Sequence, residues 1–111
     1  KSMPYVATYS SEAPDRASVD GLGGATILEF GADWCGHCQG AQSAIKAVLE
    51  NQNGLNHLKI EDGPGRPLGR SFRVKLWPTL IFMRNGQELA RVVRPAGEAE
   101  LHAALAQLMT A

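Results

Sequence analysis

The stretch ATILEFGADWCGHC, residues 25–38, joins an apolar run to both cysteines of the chain. Its first six residues, 25–30, include β-branched side chains and predict a strand that is buried on both faces. From Gln39 onward, apolar residues recur at a spacing of three and four, which predicts a helix ending near residues 51–54. The two cysteines, Cys35 and Cys38, therefore lie where a buried strand gives way to a helix.

A Cys-x-x-Cys pair has four chemical interpretations. A c-type haem site needs a histidine directly after the second cysteine, where this chain has Gln39. A structural zinc site needs four ligands, and only His37, His57, His102 and carboxylates are present to complete one. An inert disulfide across two residues would restrict the unfolded chain little. We therefore favour a redox-active dithiol.

The position of the pair supports redox chemistry. Backbone N–H groups and the helix dipole favour a thiolate at a helix N-terminus, so we expect Cys35 to be the attacking sulfur. Cys38 lies one turn further along and faces back toward Cys35. Attack by Cys35 on a partner's disulfide would give a mixed disulfide, and attack by Cys38 would then release the reduced partner.

The remaining elements surround this unit in a regular order. Strands are predicted at residues 5–10, 55–62, 79–84 and 88–93, the last two joined by the hairpin signal Asn85-Gly86. Helical segments are predicted between residues 11 and 24, as one or two turns within 63–72, and at 97–111. Strands that alternate with helices and close on a hairpin indicate an α/β protein with a mixed, helix-covered sheet.

Composition narrows the class of protein. The chain has 111 residues, enough for one domain over residues 1–111, with residues 1–4 expected to form a loose tail. Eleven basic residues balance eleven acidic ones, so neither nucleic acid nor a membrane is expected as a partner, and we expect a monomer. The N-terminal stretch lacks an apolar signal region, which favours the cytoplasm; removal of a leader would allow an extracytoplasmic location.

Two motifs make the chain resemble the thioredoxin family over nearly its whole length. ILEFGADWCGHC resembles the family's strand and active-site turn, and WPTLIFMRNGQE resembles its cis-proline, central strand and hairpin. The resemblance implies a thioredoxin fold, with a mixed sheet of four to five strands flanked by three to four helices. The dipeptide Gly36-His37 is similar to that of protein disulfide isomerase domains, and Gly31 replaces a usual aromatic residue, which we expect to loosen the packing there.

The resemblance also assigns a surface that binds the partner. Trp34, Gly36, Trp77, Pro78 and Arg94 are its expected members. In the family the proline peptide bond is cis, and the backbone of the preceding residue pairs with an extended substrate peptide. The arginine lies in the loop after the last strand, where isomerase domains carry an arginine that can approach the active site.

Three further residues are expected to support catalysis. Glu29 interrupts a strand that should be buried, and Lys59 falls where the family has a lysine on the neighbouring strand. Burial raises the carboxyl pKa and the lysine opposes this, so we expect Glu29 to exchange a proton near neutral pH and to take one from Cys38 through water. Protonated His37 would stabilise a neighbouring thiolate and raise the reduction potential.

These expectations define a thiol–disulfide oxidoreductase. It would reduce protein disulfides, receive electrons from an upstream reductase or thiol donor, and need no bound cofactor. The alternatives are an oxidase or isomerase with the same site, and a non-enzymatic adaptor that uses the thioredoxin surface. We expect no functional role for His57, His102 or the loop at residues 63–67.

Overall fold

The computed structural model describes residues 4–111 and contains four helices and four strands within that range. In chain order they are α1 (Arg16–Asp20), β1 (Ala25–Gly31), α2 (Gly36–Leu49), β2 (Leu55–Glu61), α3 (Pro67–Ser71), β3 (Thr79–Arg84), β4 (Gln87–Val93) and α4 (Ala99–Thr110). The mixed sheet of four to five strands flanked by three to four helices, which the resemblance implies, is confirmed with four of each.

The sheet is mixed, and β1 lies at its centre. The strand order is β2-β1-β3-β4, with β1 parallel to β2 and antiparallel to β3, and with β3 antiparallel to β4. All seven residues of β1 are buried, as the run of apolar residues predicts. The carboxyl end of β1, and the cysteines that follow it, therefore lie at the edge of the buried core.

Alternation along β1 divides the apolar residues into two layers. Ala25 and Ile27 face the layer that contains α2 and α4, whereas Leu28 and Phe30 face the layer that contains α1 and α3. The period of two puts Glu29 on the same face as Ile27, beneath α2. A carboxylate is thus built into the layer that carries the cysteines.

The hairpin and its turn follow the sequence pattern. Asn85 and Gly86 connect β3 to β4 with φ values of 51° and 81°, the positive pair that a tight two-residue hairpin turn requires. A Cβ atom on Gly86 would also collide with the carbonyl oxygen of Asp20. Glycine is therefore required at this position for both reasons.

The strand predicted at residues 5–10 is wrong except at its last residue. Only Ser10 forms a bridge, to Ile60 of β2. Upstream, the Val6 N–H donates to the His57 ring and the Ala7 carbonyl accepts from Lys59, so these backbone groups bond to side chains instead of a neighbouring strand.

The expected loose tail at residues 1–4 falls mostly outside the described residues. Pro4, which the structure does describe, is buried. Between residues 4 and 111, no helix is both long enough and apolar enough to cross a membrane.

Candidate functional site

The two cysteines lie at the N-terminus of α2. Cys35 is the N-cap residue, with φ −79° and ψ 123°, and its Sγ accepts a hydrogen bond of 3.4 Å from the Cys38 N–H. Both residues are free thiols and both are buried. A helix N-terminus presents unpaired backbone N–H groups and the positive end of the helix dipole to a side chain in this place.

Cys38 lies deeper than Cys35, and its pKa is raised above the usual value of a cysteine. Burial and the hydrogen bond with Cys35 raise the pKa of Cys38 to about 11. At neutral pH this sulfur is therefore a thiol, and its proton must leave before or during any attack on Cys35. The site thus holds a helix-capping sulfur nearer the surface and a protonated sulfur behind it.

Glu29 is fully buried beneath α2 and accepts several hydrogen bonds. Its Oε1 lies 2.9 Å from His57 Nε2, and its Oε2 accepts 3.0 Å from Gln42 Nε2 and a short bond from the Tyr9 hydroxyl. Lys59 pairs with Glu29 in the β1–β2 register, and its Nζ lies 3.9 Å from Oε2. The carboxylate is therefore surrounded by donors.

The donors around Glu29 lower its pKa, whereas the sequence predicts a pKa near neutral. Burial raises the pKa of Glu29, but the hydrogen bond from His57 and the charge of Lys59 together outweigh it and leave the pKa below its usual value. The expectation of a group that titrates near neutral pH is therefore corrected: Glu29 is a carboxylate there. Burial also lowers the pKa of Lys59, against the opposing effect of Glu29.

His57 is a member of this buried cluster that the sequence analysis left without a role. Its Nδ1 accepts a 2.9 Å hydrogen bond from the Val6 N–H, so its Nε2 carries the hydrogen that is donated to Glu29. The ring is 0% exposed. By contrast, His102 is exposed on α4 and lies 3.4 Å from Glu98, away from the cysteines.

Tyr9 is the second residue that the sequence analysis missed. A Cβ on Gly31 would stand 2.6 Å from Cys38 Sγ and 2.7 Å from the Tyr9 Oη. The space left by the absent aromatic residue is therefore filled by a phenol from the N-terminal segment, and the expected loosening of packing is wrong. Tyr9 packs with Ala32 and both cysteines in one buried cluster.

Aromatic side chains form the surface next to the cysteines. Trp34 is 73% exposed and meets Trp77 edge to face, with ring centroids 5.7 Å apart. Trp77 donates through Nε1 to Asp62 Oδ2 at 2.9 Å, and the Trp77–Pro78 peptide bond is cis. Trp77 also packs against the cluster of Tyr9 and the cysteines, so the proline loop lies beside the sulfurs.

The other predicted site residues lie at the rim. Gly36 and His37 are exposed in the first turn of α2, directly after Cys35. Arg94 is exposed, with a positive φ of 50°, and its Nε donates 2.8 Å to the Trp77 carbonyl oxygen. The Arg94 side chain therefore contacts the backbone of the proline loop, at the residue expected to pair with a substrate.

The site offers redox sulfurs and one carboxylate. Among residues 4–111, no three His, Cys, Asp or Glu side chains form a group that could hold a metal ion. The chemistry that this arrangement can perform directly is thiol–disulfide exchange at Cys35 and Cys38.

Comparisons with known proteins agree with this assignment. The chain matches the thioredoxin family over residues 16–107 and belongs to it. Thioredoxin 2 from Pseudomonas aeruginosa PAO1, solved in its reduced form, is 52% identical, with a TM-score of 0.84 over 95% of this chain and 98% of that one. Family membership implies thiol–disulfide oxidoreductase activity in general.

Two curated relatives are longer proteins. Human protein disulfide-isomerase A2 is 44% identical over 66 residues, 56% of this chain and 13% of that protein. The bifunctional thioredoxin reductase/thioredoxin of Mycobacterium leprae is 30% identical over 76 residues, 68% of this chain and 17% of that protein. The matched segments thus span less than a fifth of the length of either relative.

Proposed function

We propose that this protein reduces disulfides in other proteins through Cys35 and Cys38, by way of a mixed disulfide and without a bound cofactor. One observation carries the proposal: Cys35 caps α2 and accepts from the Cys38 N–H, while Cys38 is buried behind it as a thiol. The arrangement gives one sulfur the environment of a nucleophile and holds the other ready to resolve the intermediate.

The proposed reaction has two exchange steps. The Cys35 thiolate attacks one sulfur of the partner's disulfide, so a Cys35–partner bond forms and the other partner sulfur leaves as a thiolate. Cys38 then gives up its proton and attacks Cys35, which forms the Cys35–Cys38 disulfide and expels the second partner sulfur. The partner gains two electrons and two protons, and Glu29 is the proposed acceptor of the Cys38 proton.

The surface beside the sulfurs would bind the partner. Trp34 presents an exposed apolar face, and Trp77, directly before Pro78, packs against the cysteine cluster. A partner peptide that pairs with the Trp77 backbone would bring its disulfide to Cys35. Gly36 leaves the approach to the sulfur open because no side chain projects from the first residue of α2.

Reduction of insulin by dithiothreitol tests the proposal directly. The wild-type protein should accelerate insulin precipitation above the uncatalysed rate, and Cys35→Ser should abolish the acceleration. Gly40→Ala, in the same helix but in open space at its exposed side, is the matched control and should behave as wild type. A wild-type rate equal to the uncatalysed rate would favour a non-enzymatic adaptor.

An oxidase or isomerase is the second candidate, and one observation favours it. The Cys-Gly-His-Cys turn carries the exposed His37, and the chain is 44% identical to protein disulfide-isomerase A2 over the matched segment. We place the reduction potential between about −270 mV for thioredoxin and about −180 mV for the isomerase. Equilibration with glutathione measures it: a value at the isomerase end would favour oxidation or shuffling of disulfides.

The partners and the location follow from the reductive direction. An upstream reductase or small thiol would recharge the dithiol, which is supported by the relative named as a bifunctional thioredoxin reductase/thioredoxin. We place the protein in the cytoplasm, where reductases keep thiols reduced, and expect it to act as a monomer without nucleic acid or membrane. Recharging by purified thioredoxin reductase and NADPH, followed as NADPH consumption, tests the donor.

A further inference from the structure

The Tyr9 hydroxyl lies between the two groups that must exchange a proton in the second step. It donates a short hydrogen bond to Glu29 Oε2, and its ring packs with Cys38 in one buried cluster. Cys38 Sγ and the Tyr9 Oη both approach the same point above Gly31, at 2.6 Å and 2.7 Å. The three groups are nine-tenths or more buried.

The segment that carries Tyr9 is fixed on both sides of the ring. The Tyr9 N–H donates 3.1 Å to Asp33 Oδ1, and the Ala7 carbonyl accepts 2.8 Å from Lys59 Nζ. Ser10 bonds to β2 through its N–H to the Lys59 carbonyl at 2.8 Å and through its own carbonyl to the Glu61 N–H at 2.9 Å. These bonds hold the phenol in place without a regular strand.

We propose that Tyr9 relays the proton of Cys38 to Glu29 as Cys38 attacks the mixed disulfide. A hydroxyl is both a donor and an acceptor, so its oxygen can take the thiol proton while its own proton passes to Glu29 Oε2. The sulfur–sulfur bond between Cys38 and Cys35 forms, the bond between Cys35 and the partner breaks, and Glu29 holds the proton only transiently before it returns to its carboxylate form. The released partner thiolate then takes a proton from solvent or from Glu29. The relay rests on the proposed function.

The acidities of the Cys38 thiol and the Tyr9 hydroxyl set the timing of the transfer. A thiol whose pKa is raised to about 11 by burial and by Cys35 does not ionise spontaneously at neutral pH. Burial and the adjacent Glu29 also raise the pKa of Tyr9, so a free phenolate does not accumulate. Both protons must therefore move while the new sulfur–sulfur bond forms, which makes the attack itself sensitive to the hydroxyl.

Tyr9→Phe separates the relay from a packing role because the ring stays in place. Stopped-flow reduction should show mixed disulfide forming at the wild-type rate and decaying more slowly by about tenfold or more. Tyr5→Phe is the matched control: it removes a hydroxyl that donates 2.7 Å to Gln42 Oε1 and is not in the cysteine cluster, so decay should change by less than about twofold. The relay is overturned if Tyr9→Phe decays as wild type, or if Tyr5→Phe slows decay equally.

A solvent isotope measurement adds a readout that packing alone would not move. Decay of the mixed disulfide should be slower in D2O than in H2O for wild type, because protons move in the step. The ratio of the two decay rates should change in Tyr9→Phe. An identical ratio in the two proteins would contradict the relay. If wild type forms no mixed disulfide at all, the proposed function fails and the relay fails with it, whereas normal formation with unaltered decay in Tyr9→Phe overturns the relay alone.

Alkylation of Cys38 gives a second measurement that needs no substrate. In a Cys35→Ser background, Tyr9→Phe should shift the pH profile of Cys38 alkylation to higher pH, because the hydroxyl stabilises the Cys38 thiolate. Both proteins in that comparison keep the other titratable groups near Cys38, which are Glu29 on β1, His57 and Lys59 on β2, and Asp33 before α2. Coincident profiles would show that the hydroxyl does not reach the sulfur.

Discussion

Gly31→Ala should destabilise the protein because the space above Gly31 is already full. An added Cβ would stand 2.6 Å from Cys38 Sγ, 2.7 Å from the Tyr9 Oη and 2.9 Å from its Cζ, against 3.4 Å or more for an ordinary contact. The ring cannot simply swing away, because its hydroxyl is bonded to buried Glu29. Overpacking of this kind costs about 1–3 kcal/mol in the free energy of unfolding.

Urea denaturation measures this cost. With a slope of about 1–3 kcal/mol per molar urea, the midpoint of Gly31→Ala should fall by about 1 M. Gly40→Ala, in the interior of α2 and in open space, should instead gain up to about 1 kcal/mol from helix propensity. The double variant that combines Gly31→Ala with Tyr9→Ala should lose less stability than the sum of the two single losses. In that variant the methyl group added at residue 31 occupies space that the Tyr9 ring has left.

The reasoning is refuted if Gly31→Ala is as stable as wild type. That result would mean that Tyr9 and Cys38 shift at no cost and that the phenol is not held beside the sulfur. Strictly additive losses in the double variant would contradict the shared space even if the single variant were destabilised.

Three further predictions concern Glu29, His37 and Arg94. Because the pKa of Glu29 lies below its usual 4.5, the ionised carboxylate stabilises the folded state above about pH 4.5, and this stability is lost as the pH falls through the folded-state pKa. Urea midpoints measured below pH 4.5 should therefore decline more steeply for wild type than for Glu29→Gln, and parallel declines would contradict this. His37→Pro should lower the reduction potential measured against glutathione, by a difference that shrinks with added salt; equal potentials would show that the histidine does not act on the thiolate. Arg94→Gly should relieve the positive φ and free the Trp77 carbonyl, lowering KM for insulin by about fivefold, the worth of about one net hydrogen bond, without changing the rate with a small disulfide. A higher KM would show that the arginine binds the substrate itself.

Local patterns in the sequence were sufficient for the parts of the fold that position the cysteines. The apolar run of β1, the three-and-four spacing of α2 and the Asn85-Gly86 turn each depend on neighbouring residues, and each is observed. The pairing of Glu29 with Lys59 follows from the parallel register of β1 and β2. The strand, the helix and the turn are local features, so the residue pattern alone predicts them, whereas the position of Lys59 beside Glu29 was implied by the family resemblance.

Tyr9 and His57 were missed because their roles depend on contacts between distant segments. Residues 5–10 have the β-branched and aromatic composition of a strand, but side chains of β1, β2 and the active-site turn satisfy much of that segment's hydrogen bonding. One signal was available for His57: it stands two residues before Lys59 and therefore shares a strand face with it. For Tyr9, the signal was Gly31, whose missing side chain required another group to fill the space.

The order in which the cysteines react is the central claim, and trapping the mixed disulfide tests it most directly. Cys38→Ser should accumulate a covalent adduct with a disulfide-containing protein such as insulin, joined through Cys35 and visible by mass spectrometry after acid quenching. Cys35→Ser should form no such adduct under the same conditions, because Cys38 is buried with its pKa raised to about 11. An adduct that forms through Cys38 in Cys35→Ser, or the absence of any adduct in Cys38→Ser, would contradict the assignment of Cys35 as the attacking sulfur.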